Sequence, residues 1–481
     1  MSFRAGKIFV AVILAASLGA LFSTARADSA ATNAAAPAVA VATAAASTNA
    51  PAAAPAPTPP KASDVNSGDT AWVLTSSALV LLMTVPALAF FYGGLVRRKN
   101  ILSILMQCFM LACLISVQWV LFGYSLAFGP DVKHFIGDLS WVGLKNVAFD
   151  TPHWDPVTAS SYAGTIPHQA FMIFQMMFAV ITPGLILGSF AERMKFSAFC
   201  VFMLLWATLV YDPVCHWVWG KNGFIGNWGA LDFAGGTVVH INAGIAGLVT
   251  ALMLGKRIGY PNRMSPPANL PFVMLGASLL WVGWFGFNAG SALGANGLAT
   301  SAFVVTHTAT AVAGLTWALM DWLFIKRPTL LGICSGAVAG LVAITPASGF
   351  VNVMGAIGIG VGAGIIPWIF VSKIKPKLGY DDSLDAFGVH CTGGVWGALA
   401  TGLWATKAVN AAGNDGLFYG NPGQLLIQAK AVGCTLVYST VMSYVLLKII
   451  DLVIGLRADP KSEQIGLDLS DHREAAYTVL D

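Results

Sequence analysis

The feature that most constrains this chain is a regular succession of long apolar segments separated by short polar loops. Each runs for about 20 residues, the length of helix that crosses the hydrocarbon core of a bilayer. Because lipid offers no partners to backbone polar groups, such segments fold as helices. We therefore predict an all-α integral membrane protein with about eleven transmembrane helices. The predicted spans cover 71–96, 101–128, 165–190, 196–219, 233–254, 270–287, 298–325, 330–349, 353–371, 384–405 and 425–452.

The composition supports this class and excludes others. Charged residues make up 10% of the chain and hydrophobic residues 56%. Soluble domains carry roughly 25% charged residues, so an ordinary soluble globular protein is excluded. The formal net charge of +4 is too small to indicate binding to nucleic acid, and we expect the chain to be surrounded by membrane lipid instead.

The N-terminal 27 residues have the pattern of a secretory signal peptide. Arg4 and Lys7 precede an apolar run, and residues 25–27 form a small-residue cleavage pattern. An uncleaved first span is the alternative. Residues 28–68 are rich in Ala and Pro, which predicts a disordered leader. We expect residues 69–457 to form the transmembrane domain and residues 458–481 a tail.

The distribution of lysine and arginine predicts the orientation of the spans. With the mature N terminus outside, the basic clusters at 97–99, 256–257 and 373–377 all fall on the cytoplasmic side. An odd number of spans then leaves the C terminus in the cytoplasm. We therefore expect a multi-pass protein of the bacterial inner membrane, with its N terminus in the periplasm.

One short motif occurs twice in the chain. Residues 239–247 and 389–397 share the pattern V-H-x-x-x-G-x-x-G, with His240 and His390 standing 150 residues apart. The copies fall in the fifth and tenth predicted spans, which begin on opposite sides of the membrane. We predict two inverted five-helix repeats around a central pore, followed by a final long helix.

Histidines inside transmembrane spans need an explanation, because ionisable side chains there face the bundle interior and mark ion or proton pathways. A pseudo-two-fold axis would bring His240 and His390 together, and two neutral rings handle a polar molecule without a net charge. Packing without a pathway is the alternative. His307 has no counterpart in the repeat, so we expect it to be a packing residue. A carboxylate precedes each paired histidine, Asp232 in the first copy and Asp385 in the second.

Several runs of sequence resemble signatures of the ammonium transporter (Amt/Mep/Rh) family. They are DFAGGTVVH at 232–240, GWFGFNAGS at 283–291, FYGGL at 91–95, AER at 191–193, TPA at 345–347 and DAFGVH at 385–390. The resemblance extends from about residue 69 to the C terminus. It implies a homotrimer in which each subunit has its own central pore for ammonium or ammonia, with methylammonium as an analogue. It also implies a transporter without a cofactor, not an enzyme.

The resemblance places an outer ammonium site at Trp219, Phe178 and Ser291. Aromatic faces attract a small cation, and a hydroxyl accepts a hydrogen bond from an N–H group that potassium lacks. The matching aspartate, Asp232, is expected near this site without direct contact, and its position before the fifth span suits a helix cap. The alternative for Trp219 is a belt residue at the membrane interface.

The resemblance also makes Phe178 and Phe287 a stacked pair that closes the outer mouth. Two phenyl rings in register form a constriction that excludes hydrated ions, although ordinary aromatic packing explains the same residues. His240 and His390 would line the apolar pore below this gate. We expect ammonium to lose its proton near the gate and to cross as ammonia, because a cation is costly in an apolar passage.

The tail follows the family pattern and implies control by a PII-type signalling protein at the cytoplasmic face. Arg473 departs from that pattern, since the family commonly has glycine there, and a positive φ at this position would strain it. Two other classes remain open. One is an ammonium sensor with little net flux, and the other is a haem or metal enzyme that uses intramembrane histidines as ligands.

Overall fold

The computed structural model describes residues 58–262 and 266–477. The predicted signal peptide and most of the predicted leader lie outside the described residues. In the described part of the leader, a 3-10 turn at Ala62–Asp64 is followed by a helix that begins at Ser67. The first helix therefore begins before residue 69, where the sequence placed the start of the transmembrane domain.

Within residues 58–262 and 266–477, nine helices are long and apolar enough to cross a membrane, and two shorter helices complete the bundle. The helices are α1 (Ser67–Leu95), α2 (Arg98–Phe128), α3 (His168–Phe190), α4 (Phe196–Asn227), α5 (Gly236–Leu254), α6 (Leu270–Gly290), α7 (Gly297–Ile325), α8 (Leu330–Ile344), α9 (Val353–Leu378), α10 (Phe387–Cys391 continued by Thr392–Trp404) and α11 (Pro422–Ile454). This architecture confirms a helical fold of the membrane type.

Short elements connect these helices. Two antiparallel strands, β1 (Asp131–Val132) and β2 (Ile136–Gly137), form a small hairpin in the loop after α2. The remaining short helices are Val142–Leu144, Leu417–Tyr419, Pro460–Ile465 and Asp468–His472.

The bundle has two distinct ends. We call the end against which residues 455–477 pack the tail face, where the Ala458 amide donates to the Arg193 carbonyl. The opposite end, with the loops at 129–167 and 405–421, is the loop face. The helix α1 begins at the loop face, because the Asn66 amide donates to the Thr165 carbonyl in the loop before α3.

Polar caps explain where several helices begin. Four helices start after an asparagine whose side chain accepts a hydrogen bond from an amide of the first turn, and α8 starts in the same way after Thr329. Such caps satisfy amides that have no partner inside the helix. The capping asparagines are Asn66, Asn269, Asn296 and Asn352.

Most observed ends lie a few residues from the predicted ones, and for two helices the structure shows the local cause of the difference. The helix α8 ends at Ile344, five residues before the predicted end at Gly349, because Pro346 has no amide to donate. The helix α5 begins at Gly236, three residues after the predicted start, because Gly235 has a φ of +113° that no right-handed helix contains.

Burial separates the centre of the bundle from its periphery. In α3, 94% of the most apolar stretch is buried, whereas in α11 the corresponding value is 28%. The helix α3 is therefore surrounded by other helices, and α11 lies along the outside. This places the residues of α3, including Phe178, where a central passage would run.

The tail contains a left-handed residue where the sequence suggested strain. Arg473 follows the short helix Asp468–His472 and has a φ of +59° and a ψ of +33°. This conformation costs a non-glycine residue about 1–2 kcal/mol. The positive φ for which the sequence predicted strain at Arg473 is therefore present in the structure.

Candidate functional site

The two repeat histidines meet inside the bundle. The ring centroids of His240 and His390 lie 5.5 Å apart, with the ring planes inclined by 14°. Both side chains are buried, at 1% and 3% exposure. Each lies in a π-helical turn, Gly236–Ile241 or Phe387–Cys391, a feature that recurs at functional sites. The structure thus brings together two residues that are distant in sequence.

The hydrogen bonding of the two rings differs. Both ring nitrogens of His240 are buried without a hydrogen-bond partner among the described residues. In contrast, Nε2 of His390 lies 3.4 Å from the Tyr92 hydroxyl, while its Nδ1 has no partner in the described part of the chain. Buried polar atoms without partners are rare in folded proteins. The pair therefore offers free donor and acceptor sites to a small polar guest.

Two glycines hold the helices that carry the histidines close together. A methyl group at Gly244 would collide with the backbone of Cys391, which follows His390. A methyl group at Gly394 would lie 3.0 Å from a side-chain carbon of Ile241, which follows His240. The contacts are reciprocal, since each glycine stands four residues after one histidine and packs beside the other. The repeated glycines therefore set the distance between the two rings.

Asp232 caps the start of α5 with both carboxylate oxygens. Oδ1 accepts hydrogen bonds from the Gly235 and Gly236 amides at 2.7 Å, and Oδ2 accepts from Thr237 at 2.7 Å and Val238 at 3.1 Å. Burial raises the pKa of Asp232, and the four amides oppose this rise. The carboxylate is thus fully engaged with the backbone, which leaves it an indirect role towards a ligand.

The second half repeats this cap with Asp382, three residues before the carboxylate that the sequence pairing selected. Asp382 stands 150 residues after Asp232, and its Oδ2 accepts from the first two amides of Phe387–Cys391 at 2.9 and 3.4 Å. Asp385 instead occupies the left-handed position of Gly235, with a φ of +62° against +113°. Burial raises the pKa of Asp382 to about 6. The carboxylate that corresponds to Asp232 is therefore Asp382.

The carbonyls of the two capping aspartates receive different donors. Nε1 of Trp219 donates to the Asp232 carbonyl at 2.8 Å. Nζ of Lys375 donates to the Asp382 carbonyl at 2.6 Å, and it also lies 2.6 Å from Oδ1 of Asp385. Sequence reasoning treated Lys375 as an orientation signal alone. Its position in the last turn of α9, shortly before two aspartates, is the signal that could have revealed the contact.

The aromatic residues form a closed layer on the loop-face side of the histidines. The rings of Phe178 and Phe287 have centroids 4.3 Å apart and planes inclined by 37°, and both are buried. Trp219 meets Phe178 edge to face at 5.7 Å. Phe287 in turn lies 6.1 Å from the ring of His240. The three aromatic residues assigned by resemblance therefore lie next to one another and above the histidine pair.

Ser291 adjoins this layer through the backbone. Its hydroxyl donates to the Phe287 carbonyl at 2.9 Å, so the oxygen still has lone pairs to accept a hydrogen bond. The indole N–H of Trp219 is committed to Asp232, so the ring face is the part of Trp219 that remains for a cation. Both residues are half-buried. The geometry suits recognition of a cation that also donates hydrogen bonds.

Two cavities adjoin the histidine pair. The first, of about 10 Å³, is bounded by Phe287, Trp284 and apolar side chains, and both histidines line it. This volume is about that of one water-sized site, so a cation cannot keep a hydration shell there. The second, of about 200 Å³, opens towards the tail face and includes His390 and Asp385 in its wall. We call it the tail-side vestibule.

Paired charges surround the tail-side vestibule. The Glu192 carboxylate accepts from Arg97 at 2.9 Å and lies 3.3 Å from Arg257, which pairs with Asp381 at 2.8 Å. The two arginines hold the pKa of Glu192 below its usual value despite burial, and Arg257 does the same for Asp381. These four residues neutralise one another. The tail face therefore has a rigid charged rim around the vestibule.

Other histidines lie apart from the pair. His307 is exposed on the bundle surface and lies 5.3 Å from the ring of Trp281. The ring of His153, in the loop after α2, lies 4.9 Å from the ring of His168, the first residue of α3, and the Tyr124 hydroxyl lies 2.6 Å from Nε2 of His168. Burial lowers the pKa of His153 to about 4. This cluster packs the loop onto the bundle.

Known proteins share both the sequence and the fold of this chain. The model of the Ammonium Transporter Family matches residues 71–477. An ammonium transporter of Bacillus subtilis is 52% identical over 410 residues, covering 85% of this chain and 98% of the relative. One from Aquifex aeolicus is 49% identical over 419 residues, covering 86% of this chain and 94% of the relative.

Solved structures agree with this match. The crystal structure of Candida albicans Mep2 superposes with a TM-score of 0.77 at 35% identity, covering 86% of this chain and 91% of that one. A structure described as a sensor Amt protein gives 0.75 at 28% identity, covering 84% and 98%. The curated relatives are named as transporters and not as enzymes. This chain therefore belongs to the ammonium transporter family.

Proposed function

We propose that this protein takes up ammonium across the bacterial inner membrane, with its loop face in the periplasm and its tail face in the cytoplasm. One arrangement carries the proposal: a closed aromatic layer, a cavity of about 10 Å³ and a histidine pair lie in sequence along the bundle, and three of the four ring nitrogens have no partner among the described residues. The basic clusters that flank the spans at the tail face support this orientation.

Recognition begins at the loop face. The free face of Trp219 and the ring of Phe178 attract the cation, and the Ser291 oxygen accepts one N–H group. Potassium donates no hydrogen bond, so the hydroxyl favours ammonium over potassium. Asp232 acts at longer range, because all its hydrogen-bonding capacity holds the start of α5.

The passage favours a neutral species. Removing a cation from water into an apolar site costs several kcal/mol, and an amine in such a site loses its proton more readily. Ammonium therefore gives up its proton to water on the loop side of the Phe178–Phe287 layer, and ammonia passes the histidines. Ammonia donates and accepts hydrogen bonds, which matches the free nitrogens of His240 and His390.

Uptake of radiolabelled methylammonium in cells that lack other carriers tests this proposal. We expect His240→Ala and His390→Ala to reduce the initial rate at least about tenfold, since each removes one of the polar contacts in the passage. His307→Ala is the matched control, because that histidine lies on the bundle surface. Membrane-inserted histidine variants that transport at the wild-type rate would refute the proposal.

A sensor with little net flux is the second candidate, favoured by the likeness to the sensor Amt protein. Such a protein would keep the loop-face site and would not need a conducting pore. Ammonium binding to the purified protein, without saturable uptake in cells, would favour this reading. The free nitrogens of both pore histidines support transport.

We also propose a homotrimer whose tail face binds a PII-type protein. The tail is anchored for such a role: Glu463 accepts from the Ile258 amide at 2.6 Å and from Arg457 at 2.8 Å. Native mass spectrometry of the purified protein would give the subunit number. Failure to co-purify with a PII protein under any nucleotide condition would contradict the partner.

A further inference from the structure

The two ends of the pore treat a cation differently. At the loop face, the group that donates to the capping aspartate's carbonyl is an indole, whose face remains open. At the tail face, the corresponding donor is the ammonium group of Lys375. The ammonium group of Lys375 therefore occupies, in the second half, the position that the indole of Trp219 occupies in the first half.

At the tail face, Asp385 is the carboxylate that Lys375 faces. Asp385 has a left-handed backbone conformation, which its counterpart Gly235 adopts without strain. A non-glycine residue in this conformation is strained, so the carboxylate at this position has a conformational cost. The Asp385 side chain is 35% exposed and forms part of the wall of the tail-side vestibule. A carboxylate at the mouth of a pore attracts cations.

Lys375 pairs with this carboxylate. Among the described residues it is the one ion-pair partner of Asp385, at 2.6 Å, and its own side chain is 14% exposed. The nearby Glu192, Arg97 and Arg257 are paired with one another and with Asp381. Without Lys375, Asp385 would therefore be an unpaired negative charge beside His390.

We propose that Lys375 is a positioning residue that neutralises Asp385 and thereby prevents the tail-side vestibule from retaining ammonium. This inference rests on the proposed function. Ammonia that has passed His390 takes a proton from water in the vestibule, and an unpaired carboxylate would hold the resulting cation. With Lys375 in place, ammonium leaves a mouth that has no free negative charge, so binding is strong at the loop face and weak at the tail face.

Sealed membrane vesicles of both orientations test the inference, with [14C]methylammonium as the probe. We expect Lys375→Met to lower the half-saturation concentration measured from the tail face by about three- to tenfold, the effect of freeing one partly exposed carboxylate. The value measured from the loop face should stay within about twofold. Lys377→Met is the matched control, because Lys377 is exposed two residues away.

Two further variants separate charge from structure. Lys375→Arg keeps the positive charge and should retain the wild-type half-saturation, while the double variant Lys375→Met with Asp385→Asn should restore it. A purely structural lysine would not be rescued by removing Asp385. An unchanged tail-face value in inserted Lys375→Met protein, or a double variant that does not recover, would overturn the inference.

Asp385→Asn alone decides the question if Lys375→Met fails to reach the membrane. We expect its tail-face half-saturation to stay within about twofold of wild type, because the Asp385 carboxylate is already neutralised and the freed charge of Lys375 is offset by the neighbouring Asp382 carboxylate. A severalfold increase would mean that Asp385 holds ammonium despite Lys375, which overturns the inference. Wild-type protein without saturable methylammonium movement would instead remove the proposed function, and this inference with it.

Discussion

The segments 232–244 and 382–394 have the same backbone plan and different chemistry. Each has a capping aspartate, a left-handed residue three positions later, a π-helical turn with a histidine, and a glycine that packs against the other segment. In the first segment the cap engages four amides, and in the second it engages two. The repeat therefore preserves geometry while the side chains around it differ.

The shared backbone of the two segments and their different surroundings correspond to two separate tasks. The backbone plan places two histidines 5.5 Å apart, which needs matched halves. The two mouths need not match, since in the proposed function one collects a cation and the other releases it. Accordingly, aromatic faces surround the first segment and paired charges surround the second. Variants made in matched pairs show how far this division holds.

The largest single effect is expected at the Asp232 cap, which also gives the first contrast between the halves. Asp232→Ala leaves four amides without their acceptor and should lower the free energy of unfolding by about 4 kcal/mol, whereas Asp382→Ala should lower it by about 2 kcal/mol. Unfolding by SDS in mixed micelles measures both. Equal losses of unfolding free energy would show that the number of capped amides does not distinguish the two halves. Asp232→Asn and Asp382→Asn are the controls for the loss of charge alone.

A smaller contrast should depend on pH. Because burial raises the pKa of Asp382 to about 6, its protonated form favours the fold, and this contribution is fully present below about pH 4 and is lost as the pH rises through 6. Asp382→Asn removes the titration. The difference in unfolding free energy between variant and wild type should therefore change by about 2 kcal/mol between pH 4 and pH 8. A difference that stays constant with pH would contradict the raised pKa.

The smallest contrast concerns the glycines. Gly244→Ala pushes a methyl group into the backbone of Cys391, while at Gly394 the nearest atoms are side-chain carbons at 3.0 and 3.1 Å. We expect Gly244→Ala to cost about 2 kcal/mol and Gly394→Ala about 1 kcal/mol. The same unfolding assay measures both. The reverse order would mean that the backbone of the second segment yields more easily than the side chains of the first.

The sequence predicted the spans well because bilayer thickness and helix geometry fix their length. The prediction for 101–128 ends at the observed residue, and those for α3 and α7 end correctly as well. Two of the departures arose where one residue controls an end, as Pro346 does for α8 and Gly235 for α5. The sequence alone does not give the end of α8 or the start of α5 to the residue, because these ends depend on the local cap.

The site could be anticipated less completely. The motif pointed to His240 and His390, and the family resemblance supplied the aromatic residues, but neither contained the contact between Lys375 and Asp385. That contact depends on a non-glycine residue in a left-handed conformation, which no simple pattern indicates. The sequence prediction paired Asp385 with Asp232, because it took the nearest carboxylate before each histidine. At the repeat spacing of 150 residues, the counterpart of Asp232 is Asp382.

The crossing at Gly244 and Gly394 has a consequence for the protein in different membranes. Because main-chain atoms and short side chains meet there, the spacing of the imidazoles does not depend on long, adaptable side chains. When a thicker or thinner bilayer tilts the helices, they turn about this pivot and do not separate at it. The distance between the two imidazoles should therefore stay constant as lipid composition changes with growth temperature.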